Sequence, residues 1–373
     1  MPPLVIDIRS AEDSRDVVHR AVQALAEGKL VALPTETVYG VAASAVNESA
    51  MQKLVEAKSR QPSQPFTLAV KSCDEALDYV PDMEVVARRL ARRCWPGPLT
   101  LVLDDKHPDS LLRQLPPTAR RAIVPDTTIG LRVPAHGATL DVMRMMTGPL
   151  ALTSANRAGE PDTVTAQQVV EALGDELALV LDDGPCRFGQ PSSVVRVRDR
   201  QLQILRPGVI SAANLTRLSN FLLLFVCTGN TCRSPMAEGL AKTLIAKRLG
   251  CAAAEIDQHG VMVASAGIAA MVGGRASAES VQVMTQLGID VSGHESQPLT
   301  EQLVRHADLI LTMTRSHRQA IVTQWPDAAE RVDILCLDGQ DVSDPIGGPL
   351  ELYEQAARQI QQQLEKRIEQ LEL

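Results

Sequence analysis

From Phe225 to Glu238 the chain reads FVCTGNTCRSPMAE. A cysteine closes an apolar run, an arginine follows six residues later, and a proline sits where a helix begins. The loop Cys227-Thr228-Gly229-Asn230-Thr231-Cys232-Arg233-Ser234 can turn its backbone N–H groups, with the helix N-terminus behind them, onto an oxyanion. The same positive field favours the thiolate of Cys227, which is the nucleophilic form. Ser234 is placed to hydrogen-bond that sulfur, and Arg233 can fold back to grip two oxygens of a phosphoryl group. Cysteine and arginine six apart form a loose pattern; the strand before, the helix after and the Gly and Asn between give it meaning. A thiol attacking phosphorus also needs an acid for the leaving group. DVSDPIGGPLELY supplies Asp344, stiffened by Pro345, just after the last strand of the pattern. Loops that follow parallel strands gather at one sheet edge, so the Asp344 loop faces the Cys227 loop. Cys232 has two readings, a small buried hydrophobe or a thiol that traps an oxidised Cys227 as a disulfide.

No such loop precedes residue 211. Polar residues there fall in LPTETVYGVA from Leu33, AKSRQPSQPFTLAV from Ala57, CWPGPLTLVL from Cys94 and ALTSANRAGEP from Ala151. Lys58 and Arg60 share one direction on an extended chain and can both reach a polyphosphate, while Ser154 and Asn156 can face one ligand together. Taken singly, the first pair reads as a solvated edge and the second as an ordinary loop start. Arg88, Arg89, Arg92 and Arg93 read as a solvated helix face, with RNA contact as the alternative. No CxxC pair or Cys/His cluster has metal-ligand spacing, so no metal site is expected.

Elements must position these residues. At 373 residues the chain exceeds one typical domain. Strand patterns start at Leu30, Phe66, Leu99, Ile129, Leu150, Leu177 and Ser193, and a helix pattern runs from Ser10 to Glu27 with Ser10 and Asp13 at capping-box spacing. RPGVISAANLTRLSN then breaks the pattern, which predicts domains over 1–211 and 221–373 with a linker at 212–220. The second part alternates strand and helix strictly, and so predicts an α/β fold with a doubly wound parallel sheet. Lys plus Arg number 24 against 26 Asp plus Glu through residue 211, and 13 against 19 beyond it, which argues against a general nucleic-acid coat. Seven cysteines without framework spacing suit reduced thiols, no apolar run is long enough to span a bilayer, and MPPLVIDIRS has no secretory pattern; a cytoplasmic protein is expected.

VCTGNTCRSPMAE, SAGI at Ser265, HESQPLT at His294, ADLILTMTRSH at Ala307 and DPIGG at Asp344 resemble the low-molecular-weight protein tyrosine phosphatases over essentially all of 221–373. The resemblance implies a four-stranded parallel sheet with a phosphate-binding loop, a phosphocysteine at Cys227, Asp344 as acid and then base, and no cofactor. Arsenate reductases share the loop, but the remaining thiols Cys251 and Cys336 have no paired spacing to receive an arsenic adduct. Tyrosine-specific relatives tend to carry tyrosines where Ile346-Gly347-Gly348 stands and a bulkier aliphatic residue at Thr231. CTGNTCRS with DPIGG is instead similar to the protein-arginine phosphatase branch, which implies phosphoarginine over phosphotyrosine.

The first part resembles the YrdC/Sua5 family of threonylcarbamoyl-adenylate synthases over about residues 5–210. Its K-x-R and S-x-N pairs match, together with PTETVYG, WPGPLT, GLRVP at Gly130, GQPSSVV at Gly189 and LRPG at Leu205. The resemblance implies a twisted mixed sheet with helices, and condensation of L-threonine, bicarbonate and ATP, with Mg²⁺, to threonylcarbamoyl-AMP for the tRNA threonylcarbamoyl-transfer machinery. Lys58 and Arg60 would hold the phosphates, Asn156, Thr163 and Arg206 the nucleotide, and Thr35, Arg132, Ser154 and Ser192 the amino acid. Many members carry histidine at Ala69 and threonine at Ser193. A related carbamoyl-adenylate-handling activity, or a nucleotide- or RNA-binding module without catalysis, is the alternative. The two resemblances together imply a bifunctional enzyme that also acts on phosphoproteins.

Overall fold

The computed structural model describes residues 2–58 and 65–371. The chain forms two compact units, 1–218 and 219–373, each with its own buried core. No helix among the described residues is long and apolar enough to cross a membrane.

The first unit is built on one mixed ten-stranded sheet. Its order is Leu4–Asp7, Leu179–Asp182, Val31–Leu33, Gly40–Ser44, Leu150–Ser154, Thr67–Ala69, Thr128–Arg132, Leu99–Asp104, Ser193–Arg198 and Gln201–Arg206. The strands at Leu4, Gly40 and Gln201 add to the seven read from sequence. GVAAS is buried at every position and so lacks the alternation that marks a half-exposed strand. The first long helix is Ser14–Ala26; Asp13 caps it by accepting from the Arg15 N–H, while Ser10 ends a separate short 3₁₀ turn. One face of the sheet is covered along its length by the main core, and part of the other by a smaller core around Leu33, Ala69 and Leu152. Toward the Gln201 edge that second cover stops. In LTLVLD the leucines 99, 101 and 103 enter the main core, so Thr100, Val102 and Asp104 must point the other way.

Residues 212–219, expected within a linker, form a helix whose Leu215 is buried in the first unit's core. Arg93 donates to the Leu218 carbonyl at 2.6 Å. Arg89 and Arg93 are thus buried rather than solvated, while Arg88 caps the carbonyls of Met83 and Pro81.

The second unit carries four parallel strands in the order Val261–Gly267, Phe221–Cys227, Leu309–Thr312, Val332–Ile334. FLLLFVC has both faces covered: Leu223, Phe225 and Cys227 pack under Arg233–Leu249 and Leu350–Glu369, and Leu222, Leu224 and Val226 belong to the opposite core. A central parallel strand reads as one continuous apolar run for this reason. Gly250, at φ +70°, closes the helix Arg233–Leu249 in the left-handed conformation that only glycine adopts cheaply.

Candidate active sites

In the second unit, Cys227 ends the central strand at its carboxyl edge and the loop wraps its sulfur. Cys227 Sγ lies 2.9 Å from Ser234 Oγ and accepts from the Asn230 N–H at 3.3 Å. The loop turns through Asn230, at φ +55°, a conformation asparagine tolerates better than other side chains. Buried Asn230 then ties the loop down. Its Nδ2 donates to Ser234 Oγ at 2.9 Å and Ser265 Oγ at 2.8 Å, and its Oδ1 accepts from the Gln297 N–H at 2.9 Å. Ser265 Oγ in turn donates a hydrogen bond to Glu238 Oε2 at 2.7 Å. His294 Nε2 reaches the Asn230 carbonyl at 2.8 Å. Gly267 of the SAGI stretch is needed because a Cβ there would stand 2.5 Å from the Thr228 carbonyl oxygen.

Arg233 is buried, donates to the Val342 carbonyl at 3.1 Å and pairs with Asp344, whose carboxylate remains partly open. Acid, cation and thiol loop therefore share one edge. Cys232 is buried, its sulfur 3.6 Å from Ser277 Oγ and 3.9 Å from the Tyr353 hydroxyl. Thr231 holds the next element through its backbone, accepting from the Ser277 N–H at 2.8 Å.

His317 was missed by the sequence reading. Its Nε2 meets Thr228 Oγ1 at 2.9 Å, its Nδ1 is buried without a hydrogen-bond partner among the described residues, and burial, followed by the nearby Arg233, pushes its pKa down to about 4. Asp344 and Asp341 oppose that shift. TRSH gave the signal only in part, since a histidine in the first turn of a helix is ordinary until the fold sets the thiol loop against it.

In the first unit the expected residues gather on two adjoining cavities over the sheet. Thr35, Arg132, Ser154, Ser192 and Arg206 line a small one of about 90 Å³. Lys58, Asn156, Ser154 and Arg206 line a larger one of about 670 Å³. Lys58 is buried, donates to the Ser154 carbonyl at 3.0 Å and Asn156 Oδ1 at 3.2 Å, and is also bonded to the Asn156 carbonyl. Ser154 Oγ donates to Asn156 Oδ1 at 2.6 Å. Arg206 donates to the Ser192 carbonyl at 2.8 Å and hydroxyl at 3.1 Å; burial, then Arg132, lowers its pKa, against the pull of Asp162. Thr163 is buried, its hydroxyl has no hydrogen-bond partner among the described residues, and it lines neither cavity. Arg60 lies outside the described residues. Ala69 is enclosed in the smaller core.

Glu36, inside PTETVYG, was also missed. Its buried carboxylate accepts from Arg132 Nη2 at 2.7 Å and from the Ala135 N–H at 2.8 Å, while Arg132 Nη2 also reaches Thr37 at 2.9 Å. A buried carboxylate survives only when paired and hydrogen-bonded, and here the partner is the arginine of GLRVP. Among the described residues, no group of three or more His, Cys, Asp or Glu is placed to hold a metal ion.

Two family models match the chain: Sua5/YciO/YrdC, described as "Telomere recombination", over 23–208, and "Low molecular weight phosphotyrosine protein phosphatase" over 222–373. A putative threonylcarbamoyl-AMP synthase of Mycobacterium tuberculosis is 35% identical, across 55% of this chain and 89% of its own length. A protein-arginine-phosphatase of Bacillus subtilis is 40% identical, across 40% of this chain and 95% of its own. A crystal structure of P. abyssi Sua5 complexed with L-threonine is 22% identical at a TM-score of 0.52, covering 71% of this chain and 92% of that one, and so shares the fold. The chain belongs to two families, Sua5/YciO/YrdC through its first unit and the low molecular weight phosphotyrosine protein phosphatases through its second. It spans only 51% and 57% of the first curated threonylcarbamoyl-AMP synthases it matches.

Proposed function

We propose that the chain is a bifunctional enzyme, a threonylcarbamoyl-AMP synthase joined to a cysteine-dependent phosphatase that prefers phosphoarginine. The phosphatase reading rests most on the Cys227 sulfur held by the Ser234 hydroxyl and the Asn230 N–H beside the Arg233–Asp344 pair. Cys227 Sγ attacks phosphorus as the phosphorus–nitrogen bond of phosphoarginine breaks. Asp344 gives its proton to the departing guanidino nitrogen, and Arg233 leaves Asp344 for the phosphoryl oxygens. Asp344 then takes a proton from the water that displaces sulfur and frees phosphate. Thr231 sets the preference by offering a hydroxyl where a bulkier aliphatic side chain would pack a phenyl ring. The test is kcat/KM for phosphoarginine against phosphotyrosine in the parent and Thr231→Ile. A parent favouring phosphotyrosine, or a ratio that the substitution leaves unmoved, overturns the preference.

The synthase reading rests most on five expected residues, Thr35, Arg132, Ser154, Ser192 and Arg206, lining one small cavity beside the cavity of Lys58 and Asn156. A relative of the same fold was crystallised with L-threonine, and the hydroxyls and arginines that line the smaller cavity here suit an amino acid. Thr35, Ser154, Ser192 and Arg132 hold threonine. Lys58 and Arg60 are assigned the ATP phosphates, and Asn156 and Arg206, which line the larger cavity, the nucleotide. Threonine's amine and bicarbonate give a carbamate with loss of water; a carbamate oxygen then attacks the α-phosphorus and pyrophosphate leaves. ATP would bind as its Mg²⁺ complex, the ion supplying charge neutralisation to the triphosphate. The purified chain given ATP, bicarbonate and each amino acid in turn releases pyrophosphate with threonine; release indifferent to the amino acid overturns the assignment, and nucleotide binding without release favours the module.

A further inference from the structure

Thr228 follows the nucleophile directly and is exposed, while Cys227 and Asn230 are buried. Its backbone is anchored, the carbonyl accepting from the Ala269 N–H at 3.0 Å. Thr312 pairs with Val226 across the sheet, so the helix Arg315–Gln324 starts beside the beginning of the loop. The Thr314 hydroxyl caps that helix by accepting from the His317 N–H at 3.2 Å, and the His317 ring then meets Thr228 Oγ1 at 2.9 Å. His317 is buried, and Thr228 is the one hydrogen-bond partner its ring has among the described residues. The contact therefore holds the hydroxyl in place, because swinging away would strand a second buried ring nitrogen.

The ring is faced by Arg233 from its own helix and by Asp344 and Asp341 from the acid loop; burial, then Arg233, outweighs the two carboxylates and keeps it neutral at pH 7. The Thr228 hydroxyl thus stands at the mouth, between the sulfur and the carboxylate that serves the leaving group. Whether the ring donates to Oγ1 or accepts from it, the oxygen keeps at least one lone pair open there. The guanidino group of phosphoarginine carries N–H donors besides the nitrogen that leaves phosphorus, whereas the phenolic oxygen of phosphotyrosine carries none. We propose that Thr228, clamped by His317, is a specificity-determining residue of the phosphatase, its Oγ1 accepting from a guanidino N–H that is not on the departing nitrogen. A neutral clamp suits that role, since an imidazolium beside a guanidinium would repel it. This contact favours phosphoarginine independently of the space that Thr231 leaves.

This inference rests on the phosphoarginine preference proposed above. Its test is kcat and KM of the full chain for free phosphoarginine and free phosphotyrosine. Thr228→Val, which keeps the shape and loses the hydroxyl, and Thr228→Ala, which cannot crowd the loop, each lower the ratio of kcat/KM for phosphoarginine to that for phosphotyrosine about tenfold. The fall lies mostly in KM, because the bond is made both before and during phosphoryl transfer. Thr228→Ser returns the ratio to within about threefold of the parent. His317→Leu lowers it about as far as Thr228→Val, and the double variant falls no further than either alone, because the two residues act through one bond. Taking the ratio cancels any damage to the loop that slows both substrates alike. A ratio within about twofold of the parent in Thr228→Val and Thr228→Ala, or losses that add in the double variant, overturns the inference and leaves the preference standing. A parent that favours phosphotyrosine overturns the preference itself.

Discussion

Cys227 begins the thiol loop and His317 meets it at Thr228, and the two make different predictions. If sulfur is the nucleophile, Cys227→Ser puts a much weaker one in its place, and hydrolysis of a small aryl phosphate falls by at least about a thousandfold. A variant within tenfold of the parent would remove the thiol from the chemistry. His317 bears on stability. Its ring titrates at about 4 in the folded chain against an ordinary 6.5, so between those values the unfolded chain binds the extra proton. The stability carried by the neutral ring is complete above pH 6.5, falls as pH drops through the window, and changes no further below about 4. Urea unfolding at pH 7.5 and 4.5 should show this loss for the second unit. His317→Gln should flatten it; an equal slope in the variant would place the titrating group elsewhere.

At the scale of elements, the thiol loop depends on the strand beside it. Val261–Gly267 pairs with Phe221–Cys227 along its whole length, and its last residue must be glycine for the loop to pass. Gly267→Ala pushes a methyl to 2.5 Å from backbone oxygen, which cannot swing aside as a side chain can. The overpacking costs about 1–3 kcal/mol and shifts the loop. Aryl phosphatase activity should fall at least about tenfold, since a displacement of about 1 Å is that expensive in catalysis; full activity would show that the loop is not seated by this strand. The helix Ala212–Ser219 belongs to the first unit on the same kind of evidence. Leu215→Ala should lower that unit's stability by about 2–4 kcal/mol without altering phosphatase turnover, whereas a linker residue would change neither.

For the whole molecule, separate cores mean separable activities. Lys58→Ala should abolish threonine-dependent pyrophosphate release and leave aryl phosphate hydrolysis within error, because changes in units without shared partners add independently. Pyrophosphate release that survives would remove Lys58 from the triphosphate. Cleaving the connection between Leu218 and Asn220 should likewise yield two fragments that each fold, measured by circular dichroism, since each unit keeps its own sheet and core.

Local chemistry made much of this legible beforehand. Alternation in LTLVLD announces a half-covered strand, and the unbroken run FLLLFVC a doubly covered one, because side chains alternate across a pleat whatever the rest of the chain does. The thiol loop is contiguous, so Cys227, Asn230, Arg233 and Ser234 could be read together. GVAAS could not be read as a strand, since full burial erases its period. Residues 212–219 looked like a linker because one buried leucine is too weak a pattern to mark a helix. Glu36 with Arg132 and His317 with Thr228 are separated by 96 and 89 residues along the chain. Burial and pairing are properties of neighbours in space, and only the tertiary structure chooses those neighbours. Sequence alone therefore determined the alternation of strand and helix around the local thiol loop and most strands of the first sheet; packing added the strands at Leu4, Gly40 and Gln201 and decided which distant charges were buried and which were paired.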